Sequence, residues 1–376
     1  MTGRRAAARN ALRRWRALRI GAMSEAETAL TVAVDANGAD LGVAEVSKGA
    51  AIAAERGAKV LLFGDADEVG TMPEGVEVIH APISIAKAAD PVAAVRSTPD
   101  ASIVQAARAV GEGRADALVA GGSTGSALAA GTFHIKRAPG IYRPALALPI
   151  PVPGRPVTLV DVGANLECRP EHLVQFAFMG AALTQTVLEI EHPRVALLNN
   201  GEEPSKGTTL FIETYERLLE RTAGSTLVDF IGNIEGVHVI DGTADVIVAD
   251  GFTGNIALKT IEGVTKSVLG LVRNVTLSSP RAAAGGLMLR PALMKLVSDV
   301  DPEGAGGAYM LGLRKLGVVA HGRFTKYGWS QAILLAVRGT ANDVVGRTHA
   351  ALEEAGALRR PAPVMSEEAT TVPGQR

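Results

Sequence analysis

The residues that could do chemistry stand in four short loops rich in Gly, Asn, Ser and Thr. These loops are AGGSTGS (120–126), DVGANLE (161–167), NNGEEPSKG (199–207) and DGFTGN (250–255). They carry few bulky side chains, and glycine lets a backbone approach a ligand closely. Where such a loop opens a helix, unpaired N–H groups and the helix dipole favour a phosphate group. The loops therefore predict a site for a small anion.

The loops lack the two common nucleotide-binding patterns but match one catalytic pattern. None carries the P-loop pattern G-x-x-x-x-G-K-[ST], or G-x-G-x-x-G with the acidic partner of a dinucleotide site. Residues 121–125 match G-x-S-x-G, the nucleophile elbow of α/β-hydrolases, with Ser123 as the nucleophile. Asp250 and His321 follow in the right chain order, so a serine hydrolase is one alternative. A Gly/Ser/Thr turn also matches this pattern by chance, and no HGGG-type oxyanion loop is present.

Composition excludes several classes of function. The 376 residues carry 38 Lys and Arg against 39 Asp and Glu, so no global basic field indicates a nucleic-acid partner. The single cysteine, Cys168, excludes a disulfide framework and fits a reducing compartment. We expect it to be structural. Isolated His residues predict no zinc site, and no stretch has the composition of a transmembrane span.

Strands and helices that alternate along the chain must position the loops. Nine short, β-branched runs are predicted strands, nearly continuous in hydrophobicity as in a sheet buried on both faces. They span residues 29–36, 59–65, 76–82, 116–122, 157–164, 194–201, 227–233, 244–251 and 317–322. Helical patterns follow most of them, which predicts an α/β fold, a mostly parallel sheet with helices on both faces. We expect all four loops at one edge, the carboxyl ends of the strands, where such folds bind ligands.

Several stretches resemble the bacterial phosphate acyltransferase family, the acyl-acyl-carrier-protein:phosphate transacylases of phospholipid synthesis. The resemblance runs from about Val32 to Arg338. It rests on the stretches TLVDVGANLECRPEHLVQFAFMGA, PRVALLNNGEEPSKGT, FIGNIEG and ADVIVADGFTGNIALKTIEG. The second and fourth stretches are long and specific, which distinguishes the resemblance from a chance similarity.

The chain departs from the family pattern on the expected ligand edge. Asn37 stands in a motif, DANGAD, that is Asp-Ala-Met-Gly-Gly-Asp in the family, and Ser123 stands in a motif that is Ser-Ala-Gly-Asn-Thr-Gly. Arg323 and Phe324 replace two serines, and the lysine usually found shortly after Arg96 is missing. These changes leave a second alternative open, a membrane-associated scaffold that kept the fold and lost the chemistry.

The resemblance implies a three-layer α/β/α fold that is Rossmann-like and related by analogy to the isocitrate dehydrogenase architecture. It implies transfer of a fatty acyl group from the thioester of acyl carrier protein to inorganic phosphate. The acyl phosphate would serve phosphatidic acid and phospholipid synthesis, and neither a cofactor nor a metal is implied. The expected partners are acyl carrier protein, phosphate, a second copy of the chain and a membrane glycerol-phosphate acyltransferase. The expected location is cytoplasmic with peripheral membrane contact.

This chemistry suggests roles for the loop residues. The thioester carbonyl becomes an oxyanion in the transition state, so donors must point at that oxygen, and phosphate needs positioning more than a strong base. Lys206 and Asn255 are the predicted catalytic residues, a cation and an amide. The residues expected to bind phosphate or the thioester are Ser123, Thr124, Gly125, Asp161, Asn165, Gly254, Lys259 and His321. Asp161 and Asn165 alternatively orient the loops, and Asn255 is alternatively a helix N-cap.

Composition also predicts the domain boundaries. Residues 1–28 begin as a basic arm that we expect to be disordered, with Met1 or Met23 as the start. Residues 359–376 form a Pro-rich polar tail with the same expectation. Residues 29–345 are the predicted single acyltransferase domain.

An apolar helical excursion is predicted over residues 264–301. Scattered cations and an apolar surplus suit a dimer interface, membrane docking or ordinary core. Pro280, Gly285, Gly286 and Pro291 predict two short helices, with a bend that presents Leu287–Leu289 outwards. Because acyl carrier protein is acidic, we expect the cations of this segment and Arg323 to bind it.

Overall fold

The structure is a computed structural model that describes residues 23–152 and 156–359. Most of the predicted arm at 1–28 and nearly all of the predicted tail at 359–376 lie outside the described residues. The expectations of disorder and of the start position therefore stay predictions.

The described chain is built around one eleven-stranded sheet. The strands are β1 Thr31–Asp35, β2 Lys59–Gly64, β3 Val76–His80, β4 Ala117–Gly121, β5 Ala145–Ile150, β6 Val157–Val160, β7 Arg194–Leu198, β8 Asp229–Ile234, β9 Val246–Val248, β10 Ala308–Leu311 and β11 Leu316–Ala320. Their spatial order is β3-β2-β1-β4-β11-β10-β5-β6-β9-β7-β8. All nine predicted strands are present, and the predicted α/β fold is confirmed.

Helices of very different length connect the strands. They are α1 Glu25–Thr28, α2 Val43–Glu55, α3 Ala66–Val69, α4 Pro91–Ser97, α5 Ser102–Gly111, α6 Thr124–Ala130, α7 Pro170–Leu188, α8 Thr209–Thr222, α9 Gly251–Thr276, α10 Pro280–Val300, α11 Pro302–Ala305, α12 Lys326–Ala341 and α13 Val344–Glu354. A π-helical turn, Gly131–Ile135, follows α6, and a 3-10 turn, Gly236–Val239, follows β8.

The core consists of one apolar layer on each face of the sheet. Alternate strand residues point to opposite faces, so Val32 and Val34 of β1 join one layer while Ala33 joins the other. The first layer contains Phe176 of α7 and Trp329 of α12, both with no exposed surface. The other layer lies under α5, α6 and the start of α9. Helices therefore cover both faces, as predicted.

Three antiparallel pairings divide the sheet into halves that run in opposite directions. β10 is antiparallel to β11 and to β5, and β5 is antiparallel to β6. The other seven pairings are parallel. The carboxyl ends of β1, β4 and β11 therefore share one edge, the first edge, and those of β6, β7 and β9 share the opposite edge, the second edge.

The expectation that all four loops share one edge is therefore wrong. Loop 120–126 follows β4 at the first edge, whereas loops 161–167, 199–207 and 250–255 lie at the second edge. The error comes from β5 and β10, the two strands that were not predicted from the sequence. Both take part in the antiparallel pairings that reverse the chain direction between the halves.

The second half of α9 and the whole of α10 project from the sheet. No residue of α9 beyond Leu258 is buried, and neither is any described side chain of α10. The interpretation of 264–301 as ordinary core is therefore wrong. The chain turns at Leu277–Ser279, Pro280 begins α10, and Pro291 lies inside it, so the predicted position of the bend is also wrong.

An apolar stripe lies along the exposed face of α9. Its members recur every three or four residues, which is the spacing of one helix face. They are Val264, Val268, Leu271, Val272 and Val275. Leu287, Met288 and Leu289 are exposed as well, but they lie within α10. Within residues 23–152 and 156–359, no helix combines the length and apolar character of a membrane span.

Candidate functional site

The loop after β6 is organised by one buried carboxylate. Asp161 has no exposed surface and accepts hydrogen bonds from the backbone N–H groups of Leu146, Gly163, Ala164 and Asn165, at 2.8–3.2 Å. It also accepts one from the Asn165 amide at 2.8 Å. Burial raises the pKa of Asp161 against the opposing effect of these bonds. Protein groups donate all of these hydrogen bonds to the carboxylate, which fits the alternative that Asp161 orients the loop.

The first turn of α9 is packed tightly on this loop. A side-chain carbon at Gly254 would lie 1.9 Å from the backbone oxygen of Asp161, and one at Gly251 would lie 2.7 Å from the backbone oxygen of Asn165. Only glycine fits such contacts between backbones. The predicted ligand residues Asp161, Asn165 and Gly254 are therefore brought together, but they contact one another.

The N-terminus of α9 offers no unpaired N–H group at its first four residues. Asp250 is the N-cap and accepts from the N–H groups of Phe252 and Thr253, at 3.0 and 2.9 Å. The Gly251 N–H donates to the Asn165 carbonyl and the Gly254 N–H to the Asp250 carbonyl. The expectation that a loop which opens a helix offers unpaired N–H groups is therefore wrong for these four residues of α9. The alternative of Asn255 as N-cap is wrong too, because Asp250 fills that position.

The two predicted catalytic side chains remain accessible at the second edge. Asn255 is exposed on α9, and its Oδ1 lies 3.7 Å from where a side-chain carbon at Gly163 would be. Lys206 is exposed in a loop held by the Asn199 amide, which donates to the Lys206 carbonyl at 3.0 Å. Among the described residues, no carboxylate forms an ion pair with Lys206, and Glu202 pairs with His238 instead. Their catalytic roles stay predictions.

The first edge is built on a contact between two backbones. A side-chain carbon at Gly38 would lie 2.1 Å from the Gly121 carbonyl oxygen, and one at Gly122 would lie 1.9 Å from the Gly38 oxygen. The loops after β1 and β4 are therefore in direct contact. Ser123 is the N-cap of α6 and accepts from the Ser126 N–H at 3.2 Å.

The structure does not assemble the triad of a serine hydrolase. Ser123 lies at the first edge, and Thr124 and Gly125 continue from it as the first turn of α6. Asp250 lies at the second edge, where it caps α9 and also accepts from the Thr253 hydroxyl at 2.7 Å. The hydrolase alternative, which needs Ser123, His321 and Asp250 in one chain of hydrogen bonds, is therefore wrong.

Helix α9 connects the two edges. It begins at the second edge, and Lys259 reaches the loop after β11, where Nζ lies 3.3 Å from Nε2 of His321 and 2.8 Å from Glu262. His321 Nδ1 accepts from the Arg323 N–H at 3.2 Å. Partial burial of the ring, and then the Lys259 charge, lower the pKa of His321, so the ring is neutral near pH 7. Lys259 and His321, predicted separately, meet in an accessible cluster.

Asp35, a buried carboxylate at the end of β1, was not among the site residues predicted from the sequence. Its Oδ1 accepts from the Ser102 hydroxyl at 2.6 Å and from the Asn37 N–H at 3.2 Å. Burial raises its pKa to about 6. It borders a small cavity that Ser123 and Ser126 also line. The available signal was a carboxylate that directly ends an apolar strand.

Two of the side chains that depart from the family pattern have partners within the protein. The Asn37 amide donates to the Ala81 carbonyl at 2.8 Å. Phe324 is 5% exposed and packs against Gly328.

Cys168 is partly buried, and burial raises its thiol pKa to about 12, so the reactive thiolate is scarce at neutral pH.

Comparisons with known proteins agree with one another along most of the chain. Residues 30–347 match the family model described as fatty acid synthesis protein. A phosphate acyltransferase of Geobacillus thermodenitrificans (strain NG80-2) is 39% identical over 330 residues, covering 86% of this chain and 99% of the relative. One of Nitratidesulfovibrio vulgaris (strain DP4) is 40% identical over 326 residues, covering 85% and 92%.

A solved structure shares the fold at much lower identity. A phosphotransacetylase from Streptococcus pyogenes superposes with a TM-score of 0.58 at 16% identity, covering 87% of this chain and 98% of that one. An EutD phosphotransacetylase from Staphylococcus aureus gives a TM-score of 0.56 at 14% identity, covering 88% and 99%. At these identities the likeness shows the fold.

Proposed function

This chain belongs to the phosphate acyltransferase family and is an acyltransferase, and on this premise we propose that its acyl donor is the thioester of acyl carrier protein and its product an acyl phosphate. The product would supply phosphatidic acid and phospholipid synthesis. The structural observation that carries the proposal is the accessible face of α9, where Asn255 and Lys259 stand one turn apart between the two edges. An amide and a cation on one face suit an incoming phosphate and a developing oxyanion.

The reaction needs few groups from the protein. An oxygen of hydrogen phosphate attacks the thioester carbonyl carbon, the carbon–sulfur bond breaks, and the sulfur leaves as the carrier protein's thiolate. The thiolate takes up the proton that hydrogen phosphate releases, so the products are acyl phosphate and the free thiol. We assign phosphate binding to Lys259 beside neutral His321, and stabilisation of the oxyanion to Asn255. Lys206 is the second cation, on the loop after β7. Holding both reactants in register supplies much of the remaining rate enhancement.

Product analysis tests this function. The protein is incubated with palmitoyl-acyl carrier protein and inorganic phosphate, and acyl phosphate is measured by phosphorus NMR. The control replaces phosphate with sulfate, which lacks a transferable proton at neutral pH and should give no product. Release of free fatty acid without acyl phosphate would instead identify a thioesterase and overturn the proposal. Absence of any turnover in the folded protein would favour the scaffold alternative.

We also propose that the protein is a homodimer and that the helices α9 and α10 contact membrane. The support is the apolar stripe of α9 together with the exposed Leu287–Leu289 of α10, which is more apolar surface than a solvated hairpin needs. The cations that α9 and α10 also carry would favour anionic lipid. Two such hairpins in a dimer would combine their weak lipid affinities. This position would bring the acyl phosphate to the glycerol-phosphate acyltransferase in the bilayer.

Liposome flotation tests the membrane contact. We expect Leu287→Glu/Leu289→Glu to lose binding to anionic liposomes while keeping activity on acyl carrier protein in solution. The matched control is Leu219→Glu/Val237→Glu, because these side chains are 56% and 70% exposed, compared with 70% and 58% for Leu287 and Leu289. A variant that becomes monomeric, as judged by light scattering, would show that α10 serves subunit contact instead. Equal liposome binding by both pairs would also contradict the proposal.

A further inference from the structure

Cations from two separate segments line one open cavity, and a third segment places another cation beside them. Lys136, Arg137 and Arg359 line a surface cavity of about 490 Å³. Arg314, in the turn between β10 and β11, is bonded to the same segment: its N–H donates to the Lys136 carbonyl at 2.9 Å and its Nε to the Arg137 carbonyl at 3.4 Å. The Arg359 N–H in turn donates to Gly140 at 2.8 Å. We call Lys136, Arg137, Arg314 and Arg359 the basic surface.

The basic surface has no counter-charge among the described residues. No described carboxylate forms an ion pair with any of its four cations, although nearby Lys315 pairs with Asp116. The sequence contains no acidic residue at all between Asp116 and Asp161. Like charges held together repel one another. Since the chain as a whole has a net charge of −1, this is a local concentration of positive charge, which suits an acidic ligand.

The basic surface is firmly linked to the second edge. The segment that carries Lys136 and Arg137 runs into Pro144, whose carbonyl accepts from the Asn165 amide at 2.7 Å. The same amide reaches Asp161, which organises the loop that lies against Asn255. A macromolecule bound to the basic surface would therefore lie beside the edge that carries Asn255.

We propose that the basic surface is the docking site for the acidic acyl carrier protein, an inference that rests on the function proposed above. Carboxylates on a carrier-protein helix match these four cations, none of which has an ion pair among the described residues, and the thioester arm then extends along the second edge toward α9. The sequence-based expectation, that Arg323 and the cations of 264–301 form the docking patch, is the alternative that the experiment below tests. Arg323 faces the Asp40 carboxylate at 3.9 Å, so its charge is partly neutralised.

Charge reversal tests the docking site. Lys136→Glu/Arg359→Glu is the informative variant, because neither side chain makes a described hydrogen bond. The matched control is Lys266→Glu/Arg273→Glu in α9, which changes the net charge equally. We expect the first variant to raise KM for acyl-acyl carrier protein at least about tenfold with kcat kept, and the control to change neither. Binding by the parent protein should weaken as salt rises, and the variant should lose most of this dependence.

A small donor separates this proposal from the proposed function. With acyl-pantetheine in place of acyl-acyl carrier protein, Lys136→Glu/Arg359→Glu should work as well as the parent protein. If the parent protein uses acyl-pantetheine but not the carrier protein, the proposed donor is wrong. If it uses the carrier protein and the variant keeps its KM, or if only the control raises KM, the docking site is wrong and the function stands. Loss of activity on both donors, or a change in oligomeric state, would also overturn the docking site.

Discussion

The polar residues that the sequence singled out have different kinds of partner at the two edges of the sheet. At the second edge, Asp161 and Asp250 each accept several hydrogen bonds from their own loops, and the first N–H groups of α9 are all paired. At the first edge, Lys259 and His321 meet at 3.3 Å in an accessible position. A Gly- and Asn-rich loop thus does not by itself predict a ligand site. The groups left for substrate are the exposed ones along α9 and Lys206 on the loop after β7.

The largest expected effect is on the free energy of unfolding, and it compares two buried carboxylates at the ends of strands. Asp161 of the second edge accepts five hydrogen bonds, whereas Asp35 of the first edge accepts two. We expect Asp161→Asn to lower the free energy of unfolding by about 3 kcal/mol, because an amide nitrogen would face buried donors. Asp35→Asn should cost about 1 kcal/mol by the same principle. Urea denaturation followed by circular dichroism measures both, and equal losses would contradict the contrast.

The next effect concerns activity at the second edge. We expect Lys206→Ala and Asn255→Ala each to lower acyl transfer at least about a hundredfold, the scale seen when one donor to the transition state is lost. Both side chains are exposed, so the free energy of unfolding should change little. Steady-state rates of acyl phosphate formation measure the effect. Near-normal rates in folded variants would move the chemistry to the first edge.

The fold could be predicted from the sequence, but the arrangement of the site could not. Hydrophobic runs locate nine strands, yet they carry no information about strand direction. β5 lies in ALALPI, with prolines on both sides, and β10, AYML, stands between glycines, so neither matched a strand pattern. Missing them placed Ser123 and Asn255 at one edge instead of two.

The partners of the polar side chains could not be predicted from the sequence either. Asp161 and Lys259 were both predicted ligand residues, but only the folded chain separates their environments. Asp161 is enclosed because Gly254 lets α9 approach the loop to backbone contact. Lys259 meets His321 because α9 crosses from one edge to the other. Such contacts depend on packing between segments far apart in the chain, which local patterns do not record.

A smaller effect is expected at Ser123, the residue of the first edge that matches a nucleophile pattern. Its hydroxyl caps α6, and removal of an N-cap costs about 1 kcal/mol. We expect Ser123→Ala to lower stability by that amount and to lower acyl transfer less than about tenfold, well below the loss of a transition-state donor. Thermal unfolding and steady-state rates measure the two effects. A hundredfold loss of rate would mean that the hydroxyl contacts phosphate, and labelling by a fluorophosphonate would restore the hydrolase alternative.

The smallest effect is a change in pH dependence at the first edge. The pKa of His321 lies below its ordinary value because of burial and then because of Lys259, while Glu262 acts in the opposite direction. A lowered pKa means that the folded protein favours the neutral ring. Any stability or activity that depends on the neutral ring is therefore present above the ordinary His pKa and is lost as pH falls through the lowered value.

Lys259→Met should move the titration of His321 to higher pH, because it removes a positive charge, although burial keeps it below the ordinary value. Glu262→Gln should move it lower. Proton NMR of the imidazole resonances measures both shifts, and their opposite signs are the critical result. If both variants shift the titration in the same direction, the charges of α9 do not control His321, and its part in phosphate binding should be abandoned.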